Sequence, residues 1–122
     1  GGNIMQPINY IEDGTDKIEV LKGTLNTNRT QLLKKDDLVS FSAYLDFSAE
    51  EEIEQHENIL KIPSKYCPEK EFIATSLDTI GQDNNRNVGR ILIYKTGYVA
   101  IQHKVSNNLL KSIAFTITYL IG

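Results

Sequence analysis

The chain contains a single cysteine, Cys67, so no disulfide can form within it and packing alone has to hold the fold, as in proteins made in a reducing cytoplasm. It has no tryptophan and only two histidines, His56 and His103, neither at metal-ligand spacing from Cys67 or from the other. A zinc site needs three or four convergent nitrogen or sulfur ligands, and with no such cluster the expectation is no metal and no cofactor. No apolar run approaches the ~18 residues of a membrane-spanning helix, so membrane insertion is not expected. Positive charge is also in deficit. A net charge of −3 argues against duplex DNA as a partner, because that affinity comes largely from Lys and Arg neutralising phosphates. The N-terminus, Gly1-Gly2-Asn3-Ile4-Met5-Gln6-Pro7, lacks the basic start and apolar stretch of a signal peptide. Its start without an initiator Met is what a processed or recombinant fragment would show, and the parent chain is expected to extend upstream.

What is present is an ordinary globular composition, 122 residues with 40% apolar and 24% charged, enough for one domain that buries roughly two thirds of its unfolded surface. Residues 1–16 carry Pro7, Gly14, Glu12, Asp13 and Asp16 without sustained periodicity, and read as an N-terminal arm or linker with one short strand at Ile8–Ile11. Residues 17–122 read as the domain proper. Lys17–Leu21 alternates and stops at Gly23, and Asn26–Arg29 marks a turn. From Leu38 to Phe47 the alternation is clearest, with Val39, Phe41, Ala43, Leu45 and Phe47 on one face and Ser40, Ser42, Tyr44 and Asp46 on the other. The last segment repeats it, Ile113, Phe115, Ile117, Tyr119 and Ile121 opposing Ser112, Ala114, Thr116, Thr118 and Leu120. One buried and one wetted face is the mark of an antiparallel sheet, since parallel strands give continuous apolar runs. Ser48–His56 is the one helix-like stretch, with Ser48 and Glu51 spaced as a capping box, and is expected to form a helical turn in an exposed loop. Gln82–Asn87 is a polar loop, and Lys95-Thr96-Gly97 supplies a tight hairpin turn. The total, about seven or eight strands with almost no helix, points to an all-β antiparallel sandwich or jelly-roll-like barrel.

No segment carries a catalytic signature, and the chain is not expected to be an enzyme. Cys67 beside Pro68 reads as a small buried hydrophobe rather than a nucleophile. Glu50–Glu57 reads as solvated surface, because the paired carboxylates of a glycosidase face each other across a sugar instead of crowding one loop. The six tyrosines bear more directly on recognition, since each offers a flat apolar ring and a polar tip at low entropic cost. Tyr98 is out of phase with Val99 and Ile101, so it points away from the core together with Ala100 and Gln102. Tyr44 lies on the polar side of its strand; subunit contact explains both tyrosines as well as a ligand does. Leu92 and Ala100 also fall opposite the core-facing Ile91, Ile93, Val99 and Ile101, and Leu120 lies on the wet side of the last strand; apolar residues there call for a partner.

The order of features from Ile59 to Ile117 is specific in combination: Ile62-Pro63-Ser64-Lys65-Tyr66-Cys67-Pro68, a strand, a polar loop, the hairpin Gly89-Arg90-Ile91-Leu92-Ile93-Tyr94-Lys95-Thr96-Gly97-Tyr98-Val99-Ala100-Ile101, and a final alternating strand. Upstream, Gln31–Ala43 starts with a basic turn and continues into alternating apolar residues. This order resembles the head domains at the C-terminal tips of bacteriophage tail fibres and baseplate receptor-binding proteins, in particular those of siphophages of Gram-positive hosts, over residues 17–119. Lys65 stands where that family usually has Gly. The resemblance implies a homotrimer carried on the virion tail or baseplate, made in the host cytoplasm, that attaches to a host cell-wall saccharide and contacts other baseplate or tail proteins. Two alternatives follow: a structural baseplate module that holds another tail protein, or an enzyme degrading wall or capsule polymer. The matching motifs are scaffold and bring no binding residues with them, so the candidate ligand-binding set rests on loop chemistry and strand facing: Asn84, Asn85, Arg86, Tyr98 and Gln102.

Overall fold

The computed structural model describes residues 10–121, and they form antiparallel strands throughout with no α-helix among them. In chain order these are β1 (Glu12–Asp13), β2 (Glu19–Val20), β3 (Thr24–Leu25), β4 (Gln31–Lys35), β5 (Leu38–Asp46), β6 (Glu57–Lys61), β7 (Phe72–Gly81), β8 (Arg86–Tyr94), β9 (Tyr98–Gln102) and β10 (Leu110–Leu120). The spatial order is β1-β4-β5-β10-β7-β8-β9-β6-β2, with β3 also pairing β5.

The sheet is continuous only through part of one contact. β10 pairs with the whole of β5, from Ser112↔Asp46 to Leu120↔Leu38. It pairs with β7 only from Leu110↔Gly81 to Ala114↔Asp78, with a register shift between Leu110 and Ser112. Beyond Ala114, β10 stays with β5, while the first half of β7 stays with β8 through Phe72↔Tyr94. The two halves therefore splay and curl into a half-barrel, an all-β sandwich-like domain whose inward faces meet. Strand twist and the shifted register supply the curl. The core between them holds Leu32, Val39, Phe41, Leu45, Ile59, Leu60, Ile91, Ile93, Val99, Ile101 and Ile113, all essentially buried. Phe41 and Phe115 meet edge to face at 5.1 Å and 83°.

Both ends of the core are closed by loops. At one end the segment after β6 folds inward: Tyr66 is buried, its carbonyl accepts a 2.6 Å hydrogen bond from the Tyr119 hydroxyl, and the Cys67 thiol, also buried, faces the Pro63 carbonyl at 3.4 Å. Gly14 lies against the same ring, so closely that a Cβ there would sit 2.5 Å from it. Lys65 bonds Glu12 at 2.9 Å and holds the Glu12 carboxyl below its usual range. At the other end Ile53 is fully buried, and its carbonyl accepts from His103 Nε2 at 2.6 Å while His103 Nδ1 accepts from the Val105 N–H at 3.1 Å. That pairing fixes a neutral imidazole with the proton on Nε2.

Several sequence expectations change here. Ser48–His56 holds no helical turn; it makes reverse turns and works as a strap, because Ile53 gains more from the core than the acidic residues around it gain from helix formation. The strand expected over Lys17–Leu21 shrinks to β2, since Thr15–Lys17 is a single 3-10 turn. The polar loop ends at Asn85: Arg86 and Asn87 already pair with Ile80 and Thr79. The short strand expected at Ile8–Ile11 begins outside the described residues; Tyr10 and Ile11 are not in a strand, and β1 follows them and pairs with β4. The partner expected over Leu92 and Ala100 is not needed, because neighbours on their own face leave them 3% and 1% exposed.

Burial, and secondarily the neighbouring Cys67, raises the Tyr119 phenol well above its usual range. The phenol is neutral in its protonated form, so a raised folded-state value adds stability below the unfolded phenol value of about 10 and loses it as pH climbs above that. Tyr119→Phe is expected to cost about 1–2 kcal/mol at neutral pH, by loss of a buried hydrogen bond, and to flatten the alkaline fall in stability. Urea titrations of both proteins from neutral pH to about pH 11 measure it; equal slopes above pH ~10 would contradict the assignment.

Candidate functional site

Antiparallel register places side chains of neighbouring strands in rows across a face. On the outward face of the β7-β8-β9-β6 half, Phe72 lies opposite Tyr94 and Tyr98 opposite Lys61, with Tyr94 and Tyr98 flanking the hairpin turn. The Phe72 and Tyr94 ring centroids are 5.7 Å apart and the Lys61 ammonium lies 4.9 Å from the centre of the Tyr98 ring. Gly97 makes this turn possible: its φ is +96°, and a Cβ would stand 2.5 Å from the Ile62 carbonyl oxygen. One step along the strands, about 7 Å away, comes a row of small or apolar groups, Ala74, Leu92 and Ala100, ending at Asn58. The next row is polar: Ser76, Arg90 and Gln102.

The outcome is a trough running across the strands. Between its walls runs the Ala74–Leu92–Ala100 row, in which Leu92 and Ala100 are nearly covered by their neighbours and Ala100 alone underlies a hollow. One wall is aromatic, with Phe72 43% and Tyr98 37% exposed, and the other is hydrogen-bonding. The polar wall is ordered as a chain: Arg90 Nε–H donates to Gln102 Oε1 at 2.8 Å, and the Gln102 amide donates to His56 Nε2 at 3.1 Å. Over Ala100 the trough deepens into a hollow of about 230 Å³ lined by His56, Asn58, Tyr94, Thr96 and Tyr98. An apolar floor, a flat aromatic wall and a row of donors and acceptors match the alternating C–H and O–H faces of a pyranose ring.

The expected residues divide. Tyr98 and Gln102 stand on this face, one in each wall, with Ala100 between them. Arg86 shares the face, because β7 and β8 pair in unbroken register, but it sits opposite Ile80 at the far end. Asn84 and Asn85 are not part of the trough; both shape the β7–β8 turn. Asn84 adopts a φ of 66° and accepts from Lys111 Nζ at 2.8 Å, while Asn85 bonds the Asp83 carboxylate through its backbone and side chain. One polar atom of each side chain is engaged there, Asn84 Oδ1 by Lys111 on β10 and Asn85 Nδ2 by Asp83 within the turn.

Tyr94, Arg90, Phe72, Asn58, His56 and Lys61 went unselected by sequence reasoning. Tyr94 and Arg90 were within reach, since the alternation that faces Ile91 and Ile93 inward sends both outward. His56, Asn58 and Lys61 were not, because they arrive through β6–β9 pairing across a long sequence separation.

A larger hollow of about 450 Å³ fills the notch where β7 and β10 part, lined by Arg29, Ser42, Tyr44, Ser76, Asp78 and Thr116 among others. Several of its polar groups already serve one another: Arg29 lies 5.1 Å over the Tyr44 ring, and the Ser42 and Thr116 hydroxyls are 3.0 Å apart. Among the described residues no cluster of three His, Cys, Asp or Glu side chains could hold a metal ion. No family model matches the chain, and no curated protein matches it.

Folding and recognition separate on this face. Tyr98→Ala is expected to change stability by no more than about 1 kcal/mol, since the side chain lies outside the core and is 37% exposed. Leu92→Asp, which places a carboxylate in the buried floor, is expected to cost about 3 kcal/mol or more. Equilibrium urea denaturation measures both, and similar losses would mean that the tyrosine is structural.

Proposed function

We propose that this domain is the head of a phage tail or baseplate receptor-binding protein and that it attaches the virion to a saccharide on the host cell wall. The observation that carries the reading is the hollow over Ala100, where Tyr94 and Tyr98 share the lining with Asn58 and with His56, the end of the Arg90–Gln102–His56 hydrogen-bonded chain. The motif order from Ile62 to Tyr119 supports the phage assignment. A homotrimer displays three such faces, and shallow sites gain avidity by engaging together. The protein is then made in the bacterial cytoplasm and works on the virion, next to other baseplate or tail proteins.

A second reading, the structural baseplate module, has its own supporting observation. Leu38 and Leu120 are direct cross-strand partners on β5 and β10, and they are 44% and 73% exposed. An apolar pair standing in water at a sheet end suits packing against another chain.

Binding of the fluorescently labelled chain to intact cells and to extracted wall polysaccharide separates the two. Saturable binding competed by free polysaccharide, and weakened at least about fivefold by Tyr98→Ala or Gln102→Ala, is the expected result. Absence of binding across a broad strain panel, with association to tail proteins intact, would overturn receptor binding and leave the structural reading.

A further inference from the structure

Next to the trough, on the other side of its polar wall, lies a hollow of about 330 Å³ lined by Gln55, His56, Val88, Gly89, Arg90, Gln102, His103 and Lys104. It shares His56 with the hollow over Ala100, so the two hollows adjoin across that side chain. Its charge is unlike that of the molecule. The chain is acidic, at −3, yet this lining holds Arg90 and Lys104 and no carboxylate. Glu54 and Glu57 flank His56 in sequence without lining it, and Asp78, which shares the outer face opposite Val88, lines the notch on the β10 side instead.

Neither cation is neutralised from elsewhere. Among the described residues the ion pair formed is Lys65–Glu12, so Arg90 and Lys104 have no carboxylate oxygen within 4.0 Å. Arg90 is nonetheless held in place, because its Nε–H donates to Gln102, which in turn donates to His56. That bond uses the inner edge of the guanidinium and leaves its terminal N–H groups without a partner among the described residues. A guanidinium oriented by one hydrogen bond, with its terminal donors free, lining the same hollow as an exposed ammonium is an arrangement that recognises oxyanions, the Arg by paired hydrogen bonds and the Lys as a point charge. The exposed Val88, at 67%, adds an apolar edge beside the charges.

We propose that this hollow is an anion subsite and that the ligand it serves bears an oxyanion, a phosphodiester or a carboxylate, which Arg90 and Lys104 bind. Anion binding stands on the cation geometry alone; that the anion belongs to a saccharide rests on the reading of the adjacent trough.

The test uses the full chain labelled with ¹⁵N and titrated at constant ionic strength with inorganic phosphate, with glucuronate, and with sodium chloride as the control. Saturable shifts of the Arg90 Nε–H and the Gln102 side-chain amide are expected with an oxyanion and not with chloride, and the Gln102 amide shift, which the substitutions leave observable, should vanish in the Arg90→Gln/Lys104→Gln double variant. The stronger of the two oxyanions assigns the natural group as phosphate or carboxylate. Shifts that fail to saturate, or that persist in the double variant, overturn the subsite. Both substitutions lie on exposed side chains, and an unchanged thermal unfolding midpoint confirms that the variant is folded.

A second measurement compares wall polysaccharide bearing the anionic group with the same polymer after that group is removed. At least tenfold weaker binding of the stripped polymer, and clearly weaker binding of the intact polymer by Lys104→Gln, which leaves the polar wall of the trough in place, support the proposal. Equal binding of both polymers overturns the oxyanion requirement and leaves the saccharide reading standing. Anion shifts without any polymer binding support the subsite and overturn the saccharide reading alone.

Discussion

Everything in this domain depends on one incomplete strand contact, that between β10 and β7. Had the pairing run the full length of both strands, the chain would form one twisted sheet with a single inward face and nothing to cover it. The register shift at Leu110–Ser112 and the parting beyond Ala114↔Asp78 let the two halves fold toward each other. Apolar faces from both then bury one another, which is how a chain with one cysteine and no α-helix among its described residues acquires a core. The loops at either end finish it. Tyr66 and Tyr119 lock one mouth by a single buried hydrogen bond, while Ile53 and His103 lock the other. In each lock a polar group enters the interior only with its partner already in place, as the cost of burying an unpaired one requires.

The outer face inherits its design from the same geometry. Its rows exist because β7, β8 and β9 pair without slips over the hairpin, so chemistry that alternates along each strand becomes stripes across the sheet. Aromatic residues cluster at the turn end, small residues form the floor, and the polar chain of Arg90, Gln102 and His56 closes the far side. A one-residue slip in any of these strands would send Tyr94 or Gln102 into the core and break the trough. Strands position Tyr94, Tyr98, Arg90 and Gln102, while His56 comes from the turn before β6 at a φ of 62°, and a largely strand-held face favours binding at low ordering cost.

Alternation made part of this legible in advance. Val39, Phe41, Ala43 and Leu45 announce an inward face, and Tyr98 and Gln102 an outward one, because a strand has only two sides. Composition does not say where polar groups go. Asn84 and Asn85 are polar and exposed, and part of each serves a β7–β8 turn that needs a positive φ and an Asp83 partner. Leu92 and Ala100 looked stranded in water, and yet flanking side chains on the same sheet cover them. In both cases the local pattern was read correctly, and what surrounds the residue decided what it does.

The sequence by itself determined that the protein is all-β and antiparallel, which residues face inward, and where the Gly97 hairpin turns, since each follows from a period of two and from backbone freedom that few residues allow. The strand order, the parting of β7 from β10, and the meeting of His56, Asn58 and Lys61 with the β8–β9 hairpin were decided only by tertiary structure. These depend on which strands find one another across the chain, a choice made by the packing of the whole core and written in no single segment.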